Sequence, residues 1–208
     1  MDPLLNFPEF KLDILKEIGN IGAGNAATAL SILLDKPIDI GVPKVKVMPF
    51  DQISNITGDS EQEVIAVFLA IEGAISGNIF FILTHRSARM LLASIMEFKA
   101  TKESGFSEME QSAMQEMGNI MAGSFLSSLA DFTHLFMYPT VPSLAIDMVG
   151  AIMSYGLFEM SQLGDHALLI DTKFFDVQAK EEVEGHFFLI PDPGSFDKIF
   201  AALGVPSE

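Results

Sequence analysis

A glutamate followed three residues later by an asparagine occurs twice inside runs that otherwise read as helix, at Glu17 and Asn20 and again at Glu116 and Asn119. The first pair lies in DILKEIGNIGAGNAATAL and the second in SAMQEMGNIMAGSFLSSL, and the two runs superpose with an offset of 99 residues. Asp13 then matches Ser112, Gly19 matches Gly118 and Gly24 matches Gly123. On a helix, Asp13, Glu17, Asn20 and Gly24 fall within a stripe about 60° wide. A carboxylate there can pair with a cation, and a carboxamide one turn away can donate to and accept from the same water. The glycine beyond leaves steric room for whatever approaches. Glycine inside a helix costs about 0.8–1.0 kcal/mol relative to alanine, and asparagine is also a poor helix former. An exposed Glu and Asn would ordinarily be plain solvated helix residues. The return of the same unfavourable Gly-Asn step in a second copy favours a functional reason for it.

The elements that must carry these residues follow from periodicity. Ile14, Leu15, Ile18 and Ile21 predict an apolar face directed away from the polar stripe, as do Ala113, Met114, Met117 and Ile120 in the second run. The first helix is expected to start near Asn6 or Pro8, with Asn6 and Glu9 as a capping box, and to end near Leu34. Ser107 and Glu110 form the corresponding box for the second helix. After each long helix comes a Val-Pro step, Val42-Pro43 and then Val141-Pro142, again 99 residues apart. In KPIDIGVPKVKVMPF it is expected to divide two short extended stretches, because proline is excluded from a central ladder position. The apolar run from Val64 to Leu83 reads as strand, turn and strand, and HRSARMLLASIM as a closing helix. SLAIDMV, HALLIDTKF and EGHFFLIP are further strands, and GSFDKIFAALG is the second closing helix.

Two copies of this order predict one α/β domain over residues 1–208, built of repeats at about 6–98 and 105–204. The expected architecture is a pseudo-twofold repeat with a mixed or antiparallel central sheet, two long motif-bearing helices and two closing helices. Each half alone would leave apolar surface or a strand edge uncovered, so the halves are expected to share a core. One stretch lacks an obvious counterpart. GAIMSYGLFEM, from Gly150 to Met160, is apolar where the first repeat has DQISNITGDSEQE, and it is expected to form a short extra helix.

Composition removes several function classes. With 12 basic and 28 acidic residues the net charge is −16, which opposes binding to phosphate backbones and anionic membranes. Cysteine is absent, so thiolate metal sites, disulfides and cysteine nucleophiles are excluded. The four histidines have no metal-ligand spacing, and a metal hydrolase built on Asp13, Glu17 and Glu116 would need three carboxylates from two helices without a histidine. No metal site is expected. The amino terminus lacks the basic and apolar regions of a signal peptide, and Glu72, Ser76, Asn78 and the glycines argue against a membrane span between Val64 and Leu83. The chain reads as a cytoplasmic protein.

The paired signatures, together with TVPSLAIDMVGAIMS and SFDKIFAALG, resemble the CheC, CheX and FliY family of chemotaxis phosphatases. The resemblance implies a protein phosphatase that hydrolyses the aspartyl phosphate of the response regulator CheY without a covalent intermediate of its own. Asn20 and Asn119 would orient the attacking water, Glu17 and Glu116 would pair with a lysine of CheY, and Asp13 and Ser112 would shape the docking surface. No cofactor is implied on this chain; Mg²⁺ belongs to the regulator. The resemblance also implies binding to the receptor deamidase CheD, for which Ile152, Met153, Leu157 and Phe158 are the expected contacts. Those four residues read equally well as core. The alternative function is a non-catalytic adaptor for CheD or the flagellar switch.

Overall fold

The computed structural model describes residues 9–49, 52–53, 60–95, 105–152, 154, 166–176 and 181–204. The expected capping box at Asn6 therefore lies outside the described residues. Helix α1 runs Glu9–Leu34 and is followed by strand β1, Ile38–Pro49. Strands β2, Glu63–Gly73, and β3, Gly77–Thr84, form a hairpin that leads into α2, His85–Ile95. The second half repeats this order. Helix α3 is Glu108–Thr133, β4 and β5 are Met137–Pro139 and Ser143–Met148, β6 and β7 are His166–Asp176 and Glu181–Pro191, and α4 is Ser195–Ala202.

Both long helices stop the same way. Asp35 and His134, 99 residues apart, each take positive φ, 51° and 55°, so the chain turns off the helix axis at matching points. At the start of α3 the Ser107–Glu110 capping box is present, with both reciprocal bonds formed.

The described strands make one sheet in the order β1-β6-β7-β3-β2, with β4 and β5 both on the far side of β2. Every pairing is antiparallel. The first strand of each repeat pairs with the hairpin of the other: β1 with β6, and β4 and β5 with β2. The registers match under the pseudo-twofold, since Pro49 stands opposite His166 and Met148 opposite Glu63. Neither repeat can complete its sheet without the other.

Helices α1 to α4 cover one face of this sheet. Leu15, Ile18 and Leu30 of α1, Leu91 of α2, Met114, Phe125 and Leu129 of α3 and Phe200 of α4 share a cluster with Ile65, Phe81, Ile170 and Phe187 from the strands. The opposite face holds a second cluster containing Met48, Phe80, Leu169 and Phe188, capped by Ile53, Val149 and Ile152.

Three details depart from the sequence expectation. Ile38–Pro49 is one strand rather than two, because Val42-Pro43 is absorbed as a register shift between Gly41 and Lys44 on an edge strand, where proline forfeits no ladder bond. Ile21 is 36% exposed, whereas Ile120 is half-buried and packs against the core as expected. The buried stripe instead takes in Gly19, Gly22, Ala23, Ala26 and Ala27, and its counterpart takes in Gly118 and Ala122. Small residues lie there because the helices pack closely: a Cβ on Gly22 would come within 2.9 Å of the Phe125 Cα.

Candidate functional site

Packing α1 against α3 fixes where the two polar stripes lie. Asn25 Nδ2 donates to Ser128 Oγ at 3.2 Å across the interface, near the Gly22–Phe125 approach. Each signature lies in the part of its helix that precedes this crossing. Glu17, Asn20 and Glu116 are exposed and Asn119 is half-exposed, while Asp13 and Ser112 are exposed one turn earlier. The structure therefore brings Asp13, Glu17 and Asn20 together as one patch and Ser112, Glu116 and Asn119 as another. Beyond each carboxamide, Gly24 and Gly123 have no atom of a described residue within 4 Å of where a Cβ would stand.

The glutamates make no ion pair with a described residue, so both carboxylates are free to meet an incoming cation. The asparagines differ. Asn20 Oδ1 accepts the backbone N–H of Val42 at 3.3 Å, whereas Asn119 makes no side-chain hydrogen bond to a described residue. Sequence reasoning missed the Val42 contact, although the recurring Val-Pro step was the signal that could have pointed to it. Among the described residues no group of three or more His, Asp or Glu side chains is placed to hold a metal ion. An exposed carboxylate and carboxamide suit the positioning of a water and a partner's cation.

The extra apolar stretch is placed in part. Val149–Ile152 and Ser154 are helical, beginning one residue before the expected Gly150. Ile152 is 7% exposed in the second core cluster and matches Ile53, which is 0% exposed, at the same 99-residue offset. Ile152 is thus a core residue with a counterpart in the first repeat, and a partner could not reach it. Met153, Leu157 and Phe158 lie outside the described residues.

The profile of the CheC-like family matches residues 10–47 and 109–146, the two helix–strand units that carry the signatures. A Bacillus subtilis (strain 168) protein named CheY-P phosphatase CheC is 42% identical over 199 residues, covering 94% of this chain and 95% of that protein. The chain belongs to the CheC-like family. The flagellar motor switch phosphatase FliY of the same organism is 32% identical over 124 residues, 59% of this chain and 32% of that longer protein. The crystal structure of Thermotoga maritima FliY superposes with a TM-score of 0.73 over 95% of this chain and 98% of that one. At 20% identity this establishes the shared fold, a helix-covered antiparallel sheet of two repeats. Among the described residues no helix of this CheC-like chain is long and apolar enough to cross a membrane.

Proposed function

We propose that the chain is an aspartyl-phosphate phosphatase acting on the phosphorylated response regulator CheY, with one site on α1 and one on α3. The observation that carries this reading is the pair of exposed Glu-Asn patches, repeated under the pseudo-twofold in a chain that aligns nearly end to end with a named CheY-P phosphatase. At each site the glutamate pairs with a lysine of the regulator, which sets the helix over the acyl phosphate. Asn20 or Asn119 then enters beside the phosphoryl group and orients a water in line with the bond to be broken. This is a positioning role comparable to that of the water-orienting glutamine in GTPases. The attacking oxygen comes from that water, phosphate leaves, and the regulator recovers its aspartate, so no covalent species forms on this chain. The regulator's own Mg²⁺ is counted with the substrate and neutralises the charge of the transferred group. Asp13 and Ser112 border the docking surface.

CheD is kept as a proposed second partner, with Ile152 withdrawn from the contact because it is buried. Both partners place the work in the cytoplasm. The deciding experiment mixes catalytic amounts of the protein with phosphorylated CheY and follows inorganic phosphate. Many phosphates released per protein molecule support turnover; saturable binding without acceleration supports the adaptor role instead.

A further inference from the structure

The Val-Pro step recurs in both repeats and the phosphatase reading makes no use of it. In the first repeat β1 pairs Gly41 with Lys173 and then Lys44 with Asp171, so Val42 and Pro43 fall in the register shift. A bulge leaves a backbone N–H without its ladder partner, and a buried N–H must find another acceptor. The side chain of Val42 is 5% exposed and packs near Gly19, and its N–H donates to Asn20 Oδ1. In the second repeat the valine of the same step is not packed against the helix. Thr140 makes both bonds to Ala70 of β2, through its N–H and its hydroxyl, and Val141 is 87% exposed. Its neighbour Pro142 receives a long bond from Gln115 Nε2, 3.5 Å, and the Asn119 side chain bonds to no described residue.

We infer that the Val42 N–H is a positioning group for the first site: it fixes which branch of the Asn20 carboxamide faces outward. With Oδ1 held, Nδ2 is directed away from the strand, and the second lone pair of Oδ1 is still able to accept from a water. The alternative is that Asn20 merely satisfies the N–H orphaned by the bulge. That account does not explain the second repeat, where an asparagine stands at the same place with no such N–H to satisfy. Asn119 has to be ordered by the arriving regulator, whereas Asn20 is ordered in advance.

This inference rests on the phosphatase reading, and the test separates the two. Two single-site proteins are prepared, Asn119→Ala with only the first site and Asn20→Ala with only the second. In each, Val42 is replaced by its α-hydroxy analogue, which keeps the side chain and exchanges the N–H for an oxygen. In the first-site protein kcat for phosphate release should fall about three- to tenfold with KM unchanged, since fixing one side chain accounts for roughly that much. In the second-site protein neither constant should move. An unchanged kcat in the first-site protein, or an equal fall in both, overturns the inference, the latter because damage to the shared core would act on both sites. If neither single-site protein hydrolyses before residue 42 is altered, the phosphatase reading fails. Amide exchange then still decides the tether: protection of the Val42 N–H should be lost in Asn20→Ala and kept in Asn20→Asp, and equal protection in both contradicts it.

Discussion

The two repeats keep the same Glu-Asn pair and differ in much of what surrounds it. Val42 is buried against α1, while Val141 at the same place stands 87% exposed. A Cβ on Gly19 would meet Val42 Cγ1 at 3.6 Å, an ordinary contact, but on Gly118 it would meet Val67 Cγ1 at 2.6 Å. On the sheet face away from the helices, the register makes Phe68 and Phe80 equivalent to Asp171 and His186. The phenylalanines stack with centroids 6.0 Å apart; the acid and imidazole bond at 3.0 Å. Divergence has reached the cross-strand pairs and the Val-Pro step, yet Glu-x-x-Asn stands at the same position of both helices. The glycines divide the same way, with Gly22 and Gly118 serving contact between elements and Gly24 and Gly123 meeting no described residue.

Reversing the charge of both glutamates is the strongest way to test the equivalence of the two patches without touching the carboxamides. Like charges set face to face cost several kcal/mol. Glu17→Lys with Glu116→Lys should therefore lower affinity for beryllofluoride-activated CheY by about a hundredfold or more, and each single change should remove only its own site. Titration at moderate salt checks this, and unchanged affinity would show that docking is apolar.

The packing contrast predicts opposite outcomes from matching substitutions. Gly118→Ala should destabilise by about 1–3 kcal/mol because Val67 meets the new methyl at its Cβ as well as its tip. Gly19→Ala, with only ordinary contacts, should be neutral or gain up to ~1 kcal/mol of helix propensity. Urea unfolding of the two proteins compares them directly, and equal destabilisation would mean that the helices are packed alike after all.

Gly24→Ala and Gly123→Ala separate stability from activity. No described residue lies within 4 Å of either position, so each should stabilise by up to ~1 kcal/mol, about 2–4 °C in Tm for a chain of this size. Phosphate release should nevertheless fall at the altered site if the regulator needs that space. A rise in Tm with full activity would make these glycines incidental.

The smallest effect concerns the helix start. Glu110 accepts the Ser107 N–H and hydroxyl, and these bonds, the backbone one foremost, hold its carboxyl below the usual range despite partial burial; Arg89 lies beside it at 3.2 Å. A depressed folded value means that this stabilisation is present above the ordinary glutamate range and lost as pH falls through the folded value. Ser107→Ala should cost about 1 kcal/mol at neutral pH. The cost should shrink in acid, which thermal melts at neutral and low pH would reveal.

Much of this was legible along the chain because it is local. The capping box, the helix ends, the hairpins and the Glu-Asn patches all follow from short-range spacing. The exchange of β1 and of β4 and β5 onto the opposite hairpins was not, since a strand pattern records which face is apolar and not which strand lies beside it. The buried face of α1 departs from the periodicity at Ile21 for a related reason. Periodicity weights large apolar side chains, whereas the close approach of α3 selects Gly22. Along the chain Ile152 reads equally well as a partner contact or as core, because its counterpart stretch DQISNITGDSEQE is largely polar, although its match to Ile53 is visible in the numbering. The Val42–Asn20 bond depends on a bulge, and only the repeated Val-Pro hinted at it.

The central claim is that two carboxamides orient the water. It is tested most directly by the initial rate of phosphate release from phosphorylated CheY with wild-type protein, Asn20→Ala, Asn119→Ala and the double variant, each shown by circular dichroism to be folded. The account predicts that each single variant retains the share of its intact site and that the double variant adds nothing to the regulator's own hydrolysis. A folded double variant that releases phosphate at the wild-type rate would contradict it.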